Sequence, residues 1–274
     1  LSAVYWITRG DEVLMIDRCD AEAKPVGAAF QGTLHWATPS VEAPTPITMH
    51  AALLDAQGNV LHDHRVNLTL WPGVDRSLLA GRRVAILGRE GDRAWQLAEA
   101  FGGSPRPWHE SEPPDLVLVD SADAARGAAA SLDAYLHDGG VFYGLWQPPG
   151  STWPIGSHGV HVEPGRGHQF VSRKTGHPIV EGLDPFHFSF WYDHERGRIA
   201  HLNQGHLAGD GLQPITLTGK GTWYSPRAML PATAELAVGR GRAIFDQVTA
   251  ADRMPGEPRA AAYLQRVLTH LLPE

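Results

Sequence analysis

The sequence predicts two parts of different fold class: a β-rich, sandwich-like segment over residues 1–76 and an α/β domain with a mostly parallel sheet over residues 77–274. The length of 274 residues suits about two domains at roughly 150 residues each. Short apolar runs separated by turn residues fill the first part, and no helical pattern interrupts them. From residue 83 onward, compact apolar strands alternate with amphipathic helical segments, which is typical of a parallel sheet covered by helices.

In the first segment, the turn signals Arg9-Gly10-Asp11 and Gln57-Gly58-Asn59 each separate two apolar runs. The run from residue 66 to 71 alternates with period two, as a half-buried strand should. Strands are therefore predicted over residues 4–7, 13–16, 48–54, 60–66 and 66–71, with Trp36 on a further strand. Without helices between them, these strands favour a small antiparallel sandwich.

In the second segment, strands are predicted over residues 83–87, 116–119, 141–145 and 242–247, in one sheet. Helices are predicted near 92–101, from the Ala-rich stretch to His137, and near 258–272. Two successive strand–helix units feeding a third strand imply right-handed crossovers, a mostly parallel sheet and helices on its faces. We therefore expect a flavodoxin-like, three-layer domain, with residues 147–235 largely irregular apart from a strand at 215–217.

The composition excludes several classes of protein. Lys and Arg total 23 against 30 Asp and Glu, a net charge of −7, which argues against a nucleic-acid or anionic-membrane binder. The single cysteine, Cys19, allows neither an intramolecular disulfide nor a cysteine-based zinc site. No stretch approaches 18 uninterrupted apolar residues, so no transmembrane helix is expected, and both cytoplasm and periplasm stay open. Because the chain begins Leu-Ser-Ala, without Met or a signal pattern, we interpret it as a piece of a longer protein.

The ends of the predicted parallel strands are where an α/β sheet binds its ligand. The turn Gly88-Arg89-Glu90-Gly91 lacks the third glycine of a dinucleotide fingerprint, and no phosphate loop follows, so no cofactor is expected. Gly144-Leu145-Trp146-Gln147 stands where a nucleophile elbow would carry Ser or Cys. Leucine cannot attack a carbonyl, so no catalytic residue is assigned, although a serine triad built from Ser151 or Ser157 stays open.

The 15 histidines include groups that invite a metal interpretation. His62 and His64 would share one face of a strand, as a two-ligand half-site does. Two further groups are His158, His161 and His168, and His187, His194, His201 and His206. None has a tight ligand spacing such as His-Glu-x-x-His, so we interpret them as hydrogen-bonded loop histidines and predict no metal site.

Aromatic residues concentrate in residues 186–192, where Phe186, Phe188 and Phe190 would share one face of an extended segment and Trp191 the other. Exposed tryptophans can stack on sugars, so the candidates for carbohydrate contact are Trp146, Trp153, Trp191 and Trp223. Burial is the favoured interpretation, because aromatic rings mostly serve packing. We expect the aromatic segment to pack between the α/β domain and another surface, either the β-rich segment or a second chain.

Four segments resemble the C-terminal region of bacterial family 2, β-galactosidase-like glycoside hydrolases: residues 32–36 (GTLHW), 176–183 (GHPIVEGL), 239–247 (GRGRAIFDQ) and 263–272 (YLQRVLTHLL). The resemblance implies a β-sandwich that follows a catalytic barrel and leads into a domain similar to class I glutamine amidotransferases and to the β-galactosidase trimerisation domain. Such domains usually lack a working triad. The two catalytic glutamates of the family belong to a barrel that this sequence does not contain.

The expected function is therefore a non-catalytic C-terminal part of a glycoside hydrolase, which supports assembly or shapes an active site built elsewhere. Its implied partners are the catalytic region of the parent enzyme, a carbohydrate and further copies of itself, but neither nucleic acid nor membrane. Two alternatives stay open: an active hydrolase or amidotransferase-like enzyme in its own right, and a carbohydrate-binding module.

Overall fold

The computed structural model describes residues 1–22, 35–156, 159–164, 173–189, 191–193, 198–199, 205–222 and 225–273. The chain separates into two compact units, Leu1–Gly73 (unit 1) and Val74–Glu274 (unit 2). In the described ranges, no helix has the length and apolar character needed to cross a membrane.

Unit 1 contains an antiparallel sheet of four strands, β1 (Ser2–Arg9), β2 (Glu12–Asp20), β3 (Thr45–Leu54) and β4 (Val60–Leu70), in the order β2-β1-β3-β4. The turns between paired strands contain Gly10 and Gly58 with φ of 57° and 86°, a left-handed conformation that favours glycine. These are the two turns that the sequence predicts. The described part of the unit is a single sheet, so the second layer of a sandwich is not among these residues.

Trp36 does not lie on a strand, contrary to the prediction, because residues 35–41 make no ladder pairing. Its ring packs instead against a small core formed by Ile7, Ile47 and Leu70. The Thr- and Pro-rich sequence around Trp36 thus covers one face of the sheet without joining it.

Unit 2 alternates strands and helices before it turns to longer antiparallel strands. In chain order its elements are β5 (Val84–Leu87), α1 (Arg93–Ala100), β6 (Arg106–Pro107), β7 (Leu116–Val119), α2 (Ala122–Gly127), α3 (Ala129–His137), β8 (Val141–Gly144), β9 (Thr152–Trp153), β10 (Val160–Pro164), β11 (Arg173–Lys174), β12 (Tyr192–Asp193), β13 (Arg198–Ile199), β14 (Gly205–Ala208), β15 (Gln213–Thr222), β16 (Ser225–Val238), β17 (Gly241–Asp246), α4 (Ala250–Arg253) and α5 (Pro258–Leu271).

Eight of these strands form one mixed sheet in the order β11-β15-β16-β17-β8-β7-β5-β6. The strands from β17 to β6 pair in parallel, and β11, β15, β16 and β17 pair antiparallel. The four predicted strands thus lie in one sheet, as expected, and α1 packs on β5 and β7. The prediction missed the antiparallel extension.

Both faces of this sheet are covered. On one face, residues of α2 and α3 pack with Phe142, Trp153 and Phe245 in an apolar core. On the other face, Tyr263 of α5 reaches the sheet and donates a hydrogen bond to Thr233. The α5 helix buries the stripe that the sequence predicts, which includes Leu264, Val267, Leu268 and Leu271.

Residues 147–235 are more regular than the sequence predicts. The β15 and β16 strands form a long hairpin, and β9, β10 and β14 form a separate antiparallel sheet. Register shifts interrupt the hairpin near Thr216 and Gly221, so its alternation of apolar and polar residues is broken. This irregularity hides the strands from a search for period-two patterns.

The aromatic segment is not extended at its start, contrary to the prediction. Residues Pro185–Phe188 form a 3₁₀ turn, because the Asp184 side chain accepts from the Phe186 backbone N–H and Pro185 favours the first helical position. As a result Phe186 is 69% exposed while Phe188 is buried, so these two rings do not share a face. Phe190 lies outside the described residues.

Candidate functional site at the carboxyl edge of the parallel strands

The parallel strands of unit 2 end side by side, and the residues that follow them form the candidate site. Asp120 follows β7, Leu145 to Gln147 follow β8, and Gln247 closely follows β17. The Leu145 N–H donates to the Val119 carbonyl, so the chain after β8 stays against the end of β7. This edge is where α/β folds carry their chemistry.

An arginine from α1 holds this edge together. Arg93 Nε donates to Asp120 Oδ1 at 3.0 Å, and its Nη2 donates to the Trp146 carbonyl at 3.2 Å. Its guanidinium lies 5.7 Å from the centre of the Trp146 ring and 3.7 Å from the Asp252 carboxylate of α4. The sequence analysis did not single out Arg93, although its position just after the first strand–helix turn was a usable signal.

Gln147 occupies the space beside this ion pair and is buried. Its Oε1 accepts from the Ala122 N–H at the start of α2, and its Nε2 donates to the carbonyls of Asp120 and Trp146 at 2.7 and 2.8 Å. All of these contacts are to backbone groups. Gln147 therefore connects the ends of β7 and β8 to α2, and the N–H groups of its amide are engaged by backbone carbonyls.

Leu145, the residue that directly follows β8, is buried. At Gly144, a side chain would meet the rings of Phe142 and Trp153 at 2.9 Å, so the strand must end in glycine for Trp153 to pack. Ser151, the described member of the open serine alternative, has its backbone engaged with Pro148 and Val162, and His161 contacts the neighbouring Thr152 instead. Ser157 lies outside the described residues.

Below this edge, a buried acid is embedded in hydroxyl groups. Asp246, the last residue of β17, accepts from the hydroxyls of Tyr143 at 2.7 Å and Thr233 at 2.8 Å, and from the Val248 N–H at 2.8 Å. Burial raises its pKa to about 6, and the three hydrogen bonds oppose that rise. Burial and the nearby carboxylate raise the pKa of Tyr143 as well. The acid is sealed from solvent, so it shapes stability rather than reaching a substrate.

Two polar side chains near the edge lack hydrogen-bond partners among the described residues. Gln247 is fully buried with neither amide atom paired, and the Trp146 Nε1 is likewise buried and unpaired. In the parallel register Gly144 stands beside Phe245, so Trp146 and Gln247 follow at the same level of neighbouring strands. Ordered water is the usual partner of such groups.

The tryptophan candidates for carbohydrate contact fall in different environments. Trp153 and Trp191 are fully buried, Trp146 is half-buried, and Trp223 lies outside the described residues. Trp191 packs with Phe188, which contacts Tyr263 of α5 edge-on. The Nε1 of Trp191 donates to the His187 carbonyl at 2.7 Å. A buried ring cannot stack on a sugar, so of these three tryptophans only Trp146, which is partly exposed, keeps sugar contact as a prediction.

Of the predicted histidine groups, the described members His161, His187 and His206 are hydrogen-bonded, and four of the five described members lie on strands instead of in loops. His62 and His64 are exposed on β4, His161 contacts Thr152, and His206 contacts Glu163 at 3.0 Å. His187 accepts from the Asp184 N–H. His158, His168, His194 and His201 lie outside the described residues. A different trio, His177, Glu235 and His270, comes together in space, and its wide sequence separation concealed it from motif analysis.

No family model matches the chain, and no curated protein matches it. Among solved structures, the chain is similar to the β-galactosidase of Rahnella sp. R3 over 64% of its own length and 30% of that chain, with 13% identity and a TM-score of 0.38. It is similar to an exo-β-1,4-mannosidase from Opitutaceae bacterium strain TAV5 over 70% of this chain and 36% of that chain, with 10% identity and a TM-score of 0.38. A cytoplasmic protein from Salmonella typhimurium matches over 81% and 95%, with 10% identity and a TM-score of 0.38. The chain thus spans about a third of the length of the two glycosidases.

Proposed function

We propose that this chain is a non-catalytic C-terminal part of a glycoside hydrolase, and that unit 2 is a flavodoxin-like, amidotransferase-like domain whose site has no nucleophile. The proposed absence of catalysis rests on Leu145, a buried aliphatic side chain where a nucleophile would stand in such a domain. The parallel strands follow the order second, first, third, fourth, fifth along the chain, which is the flavodoxin-like order and supports this domain class.

The polar groups around Leu145 support the same proposal. A working site keeps donors and acceptors free to meet charge that develops in the transition state. Here Arg93 donates to Asp120 and to a backbone carbonyl, and Gln147 contacts backbone groups alone. The site has the contacts of a structural joint between strand ends.

The link to glycoside hydrolases rests on the resemblance of residues 176–183, 239–247 and 263–272 to that family. In this proposal the chain acts through a partner, the catalytic region of the parent enzyme. It supports assembly of that enzyme or shapes the mouth of its active site, while the two catalytic glutamates lie elsewhere.

The first test is an assay of the isolated chain with aryl glycosides, aryl esters and glutamine. We expect no turnover above the uncatalysed background, because rate gains of about 10⁶ or more need positioned reactive groups. Turnover abolished by one substitution within residues 144–147 would instead favour the active hydrolase or amidotransferase-like alternative.

The second test concerns the parent enzyme. A gene that encodes this chain should also encode a catalytic barrel upstream, and removal of these 274 residues should reduce assembly or activity of the complete enzyme. A complete enzyme that keeps both after removal would contradict the proposed supporting role. Oligosaccharide binding that is lost on Trp146→Ala would favour the carbohydrate-binding alternative, because Trp146 is the partly exposed one of the described tryptophan candidates.

A further inference from the structure

We propose that His177, Glu235 and His270 of unit 2 form a site for a divalent transition metal, with zinc as the best-matched ion. The inference is independent of the proposed function. The three residues come from three elements: His177 precedes the 3₁₀ turn Pro178–Val180, Glu235 lies in β16, and His270 lies in the last turn of α5. Their candidate ligand atoms all lie within 4.8 Å of one another.

The geometry converges on one carboxylate oxygen. Glu235 Oε2 is 2.9 Å from His177 Nε2 and 3.1 Å from His270 Nε2, and the two rings meet edge-on with centres 5.0 Å apart. Two imidazole nitrogens and one carboxylate oxygen are a donor set that zinc takes in proteins, at about 2.0–2.2 Å from each atom. Modest outward movement of the three ligand atoms is enough to admit an ion between them.

The burial of the three side chains suits a site with one open position. His177 is buried, while Glu235 and His270 keep 15% and 22% of their side chains exposed. Glu235 is fixed in place because β16 pairs with β15 and β17 on its two sides. The partial exposure of Glu235 and His270 is consistent with entry of an ion from solvent and with a water as the fourth ligand.

One existing contact competes with the metal. His177 Nδ1 accepts from the Ile179 backbone N–H, so a neutral ring carries its proton on Nε2, where it faces Glu235. For a metal to bind Nε2, that single proton must move to Nδ1, which ends the contact in which Nδ1 accepts from Ile179. That contact is long, at 3.3 Å, but its loss leaves two N–H donors facing each other, so it opposes metal binding. We therefore infer an exchangeable site, weaker than a closed structural zinc site.

The alternative is that Glu235 serves only as a shared hydrogen-bond acceptor that fastens α5 and the 3₁₀ turn to the sheet. The two interpretations differ in one measurable respect. A metal that binds only the folded chain raises the unfolding temperature as its free concentration rises, whereas a hydrogen-bonded trio gives no such dependence.

The experiment uses the 274-residue chain without a histidine tag, stripped of metal with a chelator. Zinc binding is measured by calorimetry and by competition with a chromophoric chelator, and thermal unfolding is followed at increasing free zinc. We expect one equivalent of zinc to bind at this trio and the unfolding temperature to rise with zinc concentration. A folded chain that binds no zinc, or whose unfolding temperature ignores zinc, overturns the proposal.

Variants locate the site. His270→Ala removes one ligand at the partly exposed position, and His177→Asn removes another while keeping an N-cap side chain for the 3₁₀ turn. Each should weaken zinc binding at least about 10-fold, the lower end of what even loss of an outer hydrogen bond to a metal ligand costs. His64→Ala, which disrupts the exposed pair on β4, is the control and should leave the trio's zinc binding intact.

Cooperative unfolding in the absence of zinc establishes that each variant is folded, and either variant alone suffices if the other does not fold. Zinc affinity that stays unchanged in a folded His270→Ala or His177→Asn chain contradicts the site. Loss of binding in His64→Ala would assign the zinc to the exposed β4 pair and contradict it equally.

Discussion

The two units bury their apolar side chains to very different extents. In the described part of unit 1 the buried cluster consists of Ile7, Ile47 and Leu70, with half-buried neighbours such as Trp36. In unit 2 a far larger cluster includes the rings of Phe142, Trp153 and Phe245. The apolar side chains Val13, Ile16, Val60, Leu61 and Leu68 of unit 1 are exposed. Because apolar burial is the main favourable term in folding, unit 2 should supply most of the stability of the chain.

The largest expected effect comes from separating the units. A fragment of residues 74–274 should unfold cooperatively near the temperature of the whole chain, whereas a fragment of residues 1–73 should show no cooperative transition. The described residues of this unit form one four-stranded sheet with a small core, which buries too little apolar surface to offset the entropy of ordering the chain. Circular dichroism during heating measures both fragments, and a sharp transition in the 1–73 fragment would refute the comparison.

The next prediction compares a tryptophan from each unit. Trp191→Ala should lower the free energy of unfolding by about 3–5 kcal/mol, because the ring is fully buried beside Phe188. Trp6→Ala in unit 1 should cost less, because Trp6 is half-buried and stacks on His50 with centres 4.7 Å apart.

Denaturant unfolding measures both tryptophan variants, and calorimetry with oligosaccharides accompanies it. Unchanged stability of Trp191→Ala together with lost sugar binding would assign that ring to carbohydrate contact instead of packing.

A pH dependence distinguishes unit 2 further, because Asp246 is buried there, while no acidic side chain is buried in the described part of unit 1. Its pKa of about 6 lies above the ordinary 3.8, so the folded state binds the proton more tightly than the unfolded state. The resulting stability is present below pH 4 and is lost as pH rises through about 6, a loss of about 3 kcal/mol.

Asp246→Asn removes this titration while an amide keeps the shape of the carboxyl group. The difference in unfolding free energy between the original chain and the variant should therefore fall between about pH 4 and pH 6 and then level off. This difference cancels the opposite contributions of Asp55, Asp75 and Asp115, whose pKa values are lowered by hydrogen bonds. A difference that is flat with pH would show that Asp246 does not titrate in this range.

Local patterns in the sequence predict the elements that rely on local signals. The strands β5, β7, β8 and β17 are short apolar runs, and α5 has its apolar residues on one face and Pro258 at its start, so each was predicted close to its observed bounds. The predicted Ala-rich helix is instead two helices, α2 and α3, which meet at Ala128 after Gly127. Glycine has a low helix propensity, and the pattern of apolar residues does not register such a break.

The candidate site is predicted less completely, because its contacts depend on long-range pairing. The position of Leu145 directly after β8 could be predicted from the sequence, because it depends on the local apolar run of that strand. The contact of Arg93 with the Trp146 carbonyl spans 53 residues, and that of His177 with Glu235 spans 58. No periodicity or motif encodes such a pairing, because it depends on how the sheet orders its strands.

The smallest effect compares two arginine–carboxylate pairs, one from each unit. Arg93 and Asp120 of unit 2 keep 26% and 15% of their side chains exposed, and Arg93 also donates to the Trp146 carbonyl. Arg9 and Glu12 of unit 1 form a comparably short pair, with Nη2 and Oε2 2.7 Å apart, but both side chains are well exposed. Solvent screens the second pair, and holding two long exposed side chains in one geometry costs entropy.

Arg93→Ala should therefore lower the free energy of unfolding by about 1.5–3 kcal/mol, the range for hydrogen bonds to charged groups. The substitution leaves the mostly buried Asp120 carboxylate without this partner. Arg9→Ala should change the free energy of unfolding by no more than about 1 kcal/mol. Added salt should reduce the change in unfolding free energy caused by Arg9→Ala and leave most of the change caused by Arg93→Ala, since screening acts mainly on exposed charges. Equal effects of the two substitutions in urea unfolding would mean that the ion pair at the carboxyl edge of unit 2 stabilises the fold no more than an exposed pair at a turn. The interpretation of that edge as a structural connection between strand ends would then fail.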